Sequence, residues 1–273
     1  FTAFVGYYNA VPVLGNSINP FLALIGIFAI ALGAGASGVL NQWYDKDIDV
    51  LMDRTKNRPI ASGKIQPSEA LSFGVITSIL SIIILGLSIN WLAASLLAFT
   101  IFFYAVVYTM WLKRHTVQNI VIGGAAGAFP PIIGHICATG SIGIEALILF
   151  LIIFLWTPPH FWALALVNKS DYRAANIPML PIIYGDMATR KNIFIYSLLL
   201  MPCAYLPWIL NYSGNFYMIV VTLLNIEFIR RSIYVLKENK DSEKGLFVYS
   251  IFYLSILFAS ICFDKLISNF MIG

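Results

Sequence analysis

Residues 19–49 read NPFLALIGIFAIALGAGASGVLNQWYDKDID. An apolar run passes without a break into Asn41, Trp43, Tyr44 and three carboxylates, Asp45, Asp47 and Asp49. A membrane helix needs about 20 mostly apolar residues, so 19–40 reads as a span and the polar stretch as its end. If the helix continues into that end, residues four apart advance by only about 40° around its axis. Asn41, Asp45 and Asp49 then form one oxygen-rich stripe, and Asp47 points elsewhere.

The same reasoning gives further spans at 70–88, 91–112, 117–138, 144–167, 193–210, 215–233 and 246–266, eight in all. A ninth apolar run, 1–13, is too short to span alone. Because the chain begins with Phe1, that run is expected to be the end of a longer first helix. Composition agrees: 59% of the 273 residues are apolar, 11% are charged and the mean hydropathy is +0.82. A soluble domain carries about 25% charged residues as its skin. A soluble enzyme, a nucleic-acid module and a disordered tail are therefore excluded. Cys137, Cys203 and Cys262 lie far apart without CxxC spacing, and read as isolated thiols rather than a disulfide framework or a zinc site. The expected fold is an all-α polytopic membrane protein of about nine transmembrane helices, the first truncated. Two parallel four-helix halves are expected around a central cavity that opens near the cytoplasmic side. The chain is expected to be one domain, 1–273, with halves near 1–112 and 113–235 and a final helix at 246–266.

Sixteen of the seventeen Lys and Arg residues, Lys240 among them, fall in loops on one side; only Lys265 falls on the other. The positive-inside rule makes the charged side cytoplasmic, in a prokaryotic plasma membrane. The opposite side has short turns only, at 89–90, 139–143 and 211–214.

Two long loops, 41–69 and 168–192, hold the chemistry. Arg54, Arg58 and Lys64 follow the acidic stripe directly. Carboxylates at a helix end can simply be solvated, but regular spacing beside basic residues favours a site. Carboxylate and amide oxygens suit Mg²⁺, which usually also takes phosphate oxygens. Arginine forks suit the phosphate itself. Pro59 is expected to stop the helix. Pro158 and Pro159 are expected to break the 144–167 helix and leave His160 lining an internal cavity among Trp156, Phe161 and Trp162. A membrane histidine can equally be a packing residue, and Trp43 and Trp162 can be interface anchors. Asp171 supplies a second acidic group on the same side. The small residues at 123–128 let backbones approach closely, and Pro130-Pro131 is expected to kink that helix.

These motifs resemble those of the UbiA superfamily of intramembrane prenyltransferases. Asn41-x3-Asp45-x3-Asp49 with Arg54-Thr55-x2-Arg58-Pro59 resembles its first aspartate-rich motif. Three fuller patterns are most similar to the haem-farnesylating branch. They are Trp43-Tyr44-Asp45-x-Asp47-Ile48-Asp49, Lys113-Arg114-x-Thr116-x-Gln118-Asn119 and Trp156-Thr157-Pro158-Pro159-His160-Phe161-Trp162. Lys169-x-Asp171-Tyr172 extends the match, which runs to at least Pro181. Most of the superfamily carries a second Asp-x3-Asp pair. Here Asp171 fits its second position and Val167 stands at the first, a departure that the haem branch resembles.

The resemblance implies Mg²⁺-dependent transfer of a farnesyl group from farnesyl diphosphate to a vinyl group of haem B. Water then completes a hydroxyethylfarnesyl side chain, giving haem O for haem A and cytochrome oxidase cofactor biosynthesis. Carried onto this sequence, Asn41, Asp45, Asp49 and Asp171 would hold metal and, with His160, form the catalytic set. Arg54, Arg58, Lys64, Lys113, Arg114 and Lys169 would bind diphosphate. Trp43, Tyr44, Asn119, Trp156, His160 and Trp162 would line the haem and prenyl cavity. His160 keeps three open roles: binding haem iron, accepting a proton, or positioning the attacking water. The implied partners are haem B, farnesyl diphosphate, the lipid bilayer and a downstream haem-modifying enzyme. A prenyltransferase acting on a quinone precursor or lipid is the nearest rival, and would want the second aspartate pair. A secondary transporter fits less well, because the polar residues cluster on one side. A non-catalytic assembly scaffold gives no reason for the stripe.

Overall fold

The computed structural model describes residues 1–11, 19–239 and 241–272, with side chains as far as 267. Among them every regular element is helical. The order is α1 (Thr2–Ala10), α2 (Pro20–Tyr44), α3 (Lys46–Asp49), α4 (Pro67–Ser88) and α5 (Trp91–Phe102), which a π-helix (Phe103–Leu112) prolongs. Then come α6 (Asn119–Ala128), α7 (Pro130–Thr139), α8 (Ile144–Val167), α9 (Lys169–Ala174) and α10 (Leu180–Ile183). Three long helices close the chain: α11 (Asp186–Ile209), α12 (Asn215–Leu236) and α13 (Ser242–Ile272). With α5 and its π-helix as one column, and α6 and α7 as another, the described residues make nine columns. Seven columns are long and apolar enough to cross a membrane. The other two are α1, nine residues long, and α12, which is 22 residues long but carries Glu227, Arg230 and Arg231. Large apolar side chains such as Phe21, Leu24, Phe73, Leu87 and Leu223 face outward, as a lipid-facing surface requires. Residues 12 and 13 of the first apolar run, and Lys240, lie outside the described residues.

Local chemistry sets the helix starts. Asn19 caps α2 by accepting from Phe21 N at 2.9 Å, with Pro20 behind it. Asn90 caps α5 through Ala93 N at 2.7 Å. Gln66 and Glu69 form a capping box on α4. Within the bundle, Ser37, Ser78 and Ser197 bond the carbonyl four residues back, so their hydroxyls enter apolar surroundings already paired.

Three boundaries differ from expectation. Pro158 and Pro159 do not break α8, which is continuous through both. Packed membrane helices tolerate such lost donors inside a protein bundle. Pro59 does not end the acidic helix: α3 stops at Asp49, and turns follow. Then α11 starts at Asp186, seven residues earlier than its apolar run, because Gly185 turns the chain at a φ of 84°. The kink at Pro130 is present as the break between α6 and α7.

Two apolar clusters hold the bundle. One joins α2, α4, α5 and α7, with Ala29, Leu85, Leu97 and Ile133 at its centre. The other joins α8 to α13, around Ile152, Tyr217, Phe228 and Tyr253. The kinked α6–α7 column belongs to both: Ile120 and Ala128 enter the second, while Ile132, Ile133 and Ile136 enter the first. The last helix, α13, packs on α12, α8 and α1.

Candidate active site

The acidic stripe forms because the four-residue bonding continues across the break between α2 and α3: Asp45 N donates to Asn41 O at 2.9 Å and Asp49 N to Asp45 O at 2.8 Å. Asn41 and Asp45 bond side chain to side chain at 2.8 Å. All three stripe residues are buried, Asp45 at 0% and Asp49 at 1% exposure. Each carboxylate carries cations. Asp45 accepts from Lys113 and lies 3.4 Å from Arg114, and both oxygens of Asp49 accept from the one nitrogen Nη1 of Arg58, at 3.0 and 2.8 Å. Asp47 points outward, as the helical phase requires, and takes a two-armed fork from Arg114 at 2.7 Å on each arm. That guanidinium holds the Asp47 carboxyl below the usual carboxylate range. It also lies over the Tyr44 ring, 4.9 Å from the centroid.

The π-helix is what brings the first half together. Its wider turn bonds Thr109 Oγ1 to Tyr104 O, five residues back, and puts Thr109 against Asn41 Nδ2 at 3.1 Å. Below it, Gly123 meets the Tyr108 ring so closely that a Cβ would stand 2.2 Å from it. The sequence reading missed Tyr104, Tyr108 and Thr109. Tyr104-x3-Tyr108, two tyrosines on one helical face, was the available signal.

A cavity of about 330 Å³ lies beside the stripe. Asn41, Arg54, Arg58 and Lys113 line one part of it; Tyr104, Tyr108, Tyr172, Trp156, Phe161 and Asn119 line the rest. Burial pushes the Tyr172 phenol up from its ordinary value. A second, apolar cavity of about 210 Å³ shares Tyr104 and Gly127 with the first and continues among Gly33, Ala34, Gly38, Leu97 and Ile101.

Several expected residues stand elsewhere. His160 is not among the lining residues. Its Nδ1 lies 2.6 Å from Ser250 Oγ on α13, and its ring is stacked between Trp156 and Phe247. The unbroken α8 explains this, since no kink opens there to turn the ring into the cavity. Trp162 is buried against Tyr196 in the apolar cluster. Trp43 and Tyr44 pack on each other, away from the cavity lining. Lys64 is exposed on a turn, and Lys169 pairs with Asp186. Asp171 is not adjacent to the stripe in sequence but reaches the same loop, accepting from Arg54 N at 3.2 Å. Among the described residues, no three of His, Cys, Asp and Glu gather closely enough to cage a metal by themselves.

A sequence profile of the UbiA prenyltransferase family matches residues 1–257. Protoheme IX farnesyltransferase 2 of Mesorhizobium japonicum is 56% identical, over 98% of this chain and 86% of that protein. The protoheme IX farnesyltransferases of Brucella ovis and Rhizobium rhizogenes are each 52% identical, over 96% and 100% of this chain and 86% of theirs. Among solved structures, a digeranylgeranylglyceryl phosphate synthase superposes with a TM-score of 0.80 at 22% identity, over 97% of this chain and 91% of that one. A UbiA homologue from Archaeoglobus fulgidus, bound to GPP and Mg²⁺, gives 0.61 at 15% identity, over 95% of each chain. The solved structures bear on the fold alone, while the profile and the relatives bear on descent. This integral membrane chain belongs to the UbiA prenyltransferase family.

Proposed function

We propose that this protein transfers a farnesyl group from farnesyl diphosphate to a vinyl group of haem B, giving haem O. The observation that carries the reading is a pair of neighbouring cavities that share Tyr104 and Gly127. One has a cationic wall of Arg54, Arg58 and Lys113, and the other is apolar and reaches into the bundle. That shape suits a substrate with an anionic head and a hydrocarbon tail. The name shared by relatives at 52–56% identity supports the haem acceptor.

The protein's own groups account for most of the chemistry. Departure of diphosphate places charge on its leaving oxygen, and preorganised cations lower that cost. Asp45 and Asp49 hold Lys113 and Arg58 in position before substrate arrives. The allylic cation then meets the faces of Tyr104, Tyr108 and Trp156, whose π density stabilises it. Trp156 cannot rotate freely, because its Nε1 donates to Ser250 O at 2.7 Å. His160 braces the same ring by stacking. The oxygen set of Asn41, Asp45 and Asp49 fits Mg²⁺, which takes one or two carboxylates and completes its shell with phosphate oxygens and water. Those residues would hold it, with Asp171 tying the Arg54 loop against them. When bound, the ion would neutralise diphosphate charge as a Lewis acid.

The charged loops would face the cytoplasm of a prokaryotic plasma membrane. A farnesylated haem would stay in the bilayer, where a downstream haem-modifying enzyme would collect it. The test uses the protein in membranes with haem B, farnesyl diphosphate and Mg²⁺, read by mass spectrometry, with EDTA as control. A metal-dependent product equal to haem plus a farnesyl group plus a hydroxyl is expected. Prenylation of an added aromatic acid or lipid, and none of haem, would overturn the acceptor.

A further inference from the structure

Of the buried side-chain polar atoms among the described residues, Oδ1 of Asn119 stands out. It has no hydrogen-bond partner, and its residue lines the main cavity. Asn119 is fully buried at the start of α6. Its Nδ2 donates to Thr116 O at 2.6 Å and reaches Pro178 O at 3.4 Å. Both partners are carbonyls, so the amide cannot be flipped: the NH2 must face them. The oxygen is left as a fixed, buried acceptor that lacks a donor, a costly state for a protein to keep without use. One turn on, Gly123 and Gly124 also line the cavity, packed under Tyr108 and Thr157.

We propose that Asn119 holds the water that completes the reaction. This rests on the haem-farnesylating reading above. That reaction has three reactants, and only one can satisfy a lone acceptor. Ionised diphosphate and a hydrocarbon tail carry no donors. The haem nitrogens bind iron, and ionised propionates are acceptors. Water alone brings an O–H. The vinyl π pair forms a bond to C1 of farnesyl as the C1–O bond breaks, its electron pair leaving with diphosphate. The positive charge then sits on the former vinyl carbon next to the macrocycle. A lone pair of the held water closes the C–O bond there, and the released proton goes to the departing diphosphate. Asn119 Oδ1 accepts the other O–H throughout, which aims the attacking oxygen. An amide is too weak a base to take the proton itself.

The experiment reads product partition in the full-length protein supplied with haem B, farnesyl diphosphate and Mg²⁺. In Asn119→Ala, farnesylated haem is still made, but the cation loses a proton instead of gaining water. The ratio of hydrated product to the product lighter by one water is expected to fall about tenfold or more, as for loss of a single oriented hydrogen bond at a reacting centre. In Asn119→Asp, a neutral carboxyl keeps the acceptor, and the hydrated product dominates. An unchanged ratio in Asn119→Ala, at any rate of turnover, overturns the proposal. If that variant does not fold, the unaltered enzyme decides: a held water delivers one epimer at the hydroxyl-bearing carbon, and a racemic product sinks the assignment. Absence of any farnesylated haem from the unaltered enzyme would bring down the functional reading itself, and this proposal with it.

Discussion

Asp45 and Asp47 are two positions apart and sit in opposite environments. Asp45 is fully buried and shared by Asn41, Lys113 and Arg114; Asp47 is 57% exposed and bound to Arg114. Replacing Asp45 by Asn is expected to lower turnover about 10²-fold or more, the scale set by losing a preorganised electrostatic group. Replacing Asp47 by Asn removes a solvent-screened pair and is expected to cost about threefold or less. Steady-state turnover at saturating substrate, on samples of equal monodispersity, checks both; equal losses would refute the buried-stripe reading. A second contrast concerns the cations. Arg58→Ala is expected to raise KM for farnesyl diphosphate about tenfold, as for a charge-assisted hydrogen bond. Lys64→Ala and Lys169→Ala are expected to leave it within about twofold, as ordinary surface changes do. The stripe was legible in the sequence because i, i+4 spacing on a helix translates directly into a shared face. Lys64 was misjudged for the converse reason. Beyond Asp49 the chain turns, and Lys64 N bonds Pro59 O at 2.9 Å, so nearness in sequence no longer means nearness in space.

At the level of elements, hydropathy fixed the helices and missed what bends or widens them. The 91–112 and 144–167 spans match their helices end to end. Nothing in residues 103–112 announces a π-helix, whose effect shows only across the bundle, where Thr109 meets Asn41. Likewise, Pro158 and Pro159 read as a break only while α8 is considered without its neighbours. The small residues at 123–128 do two different things. Gly123 lets the Tyr108 ring approach, whereas a Cβ on Gly127 would meet nothing within 4 Å. Gly127 lines both cavities, so its open space is where a prenyl tail would pass between them. Gly127→Leu should fill that passage without disturbing the fold. The expected result is a shift in preference from farnesyl toward geranyl diphosphate, by about tenfold or more in kcat/KM, since even one methylene excluded from an apolar pocket is worth about 1–3 kcal/mol. Competition between the two diphosphates in one reaction measures it, and an unchanged ratio would place the tail elsewhere. By contrast, Gly123→Val should cost about 1–3 kcal/mol of stability through overpacking against Tyr108, read as a lower thermal midpoint in detergent.

Across the whole molecule, the charge asymmetry and the column count constrain each other. Sixteen of seventeen basic residues share one side only if an even–odd sequence of crossings separates the loops correctly. Between the loop holding Ser62 and the turn holding Ser141 lie α4, the α5 column and the α6–α7 column, three crossings. An odd number puts the two serines on opposite faces, and the positive-inside rule assigns Ser62 to the cytoplasm. Both are exposed, so each can be replaced by Cys in a background where Cys137, Cys203 and Cys262 are Ala. With a membrane-impermeant maleimide, Ser141→Cys is expected to react in right-side-out vesicles and Ser62→Cys only in inverted ones. Reaction of both from one side would mean that a column has been miscounted. The reverse pattern would keep the fold and turn the molecule over. In that orientation the cationic end of the cavity would open away from the cytoplasm, where diphosphate substrates are made available, and the proposed chemistry would lose its supply. Topology is therefore a test of function as well as of fold.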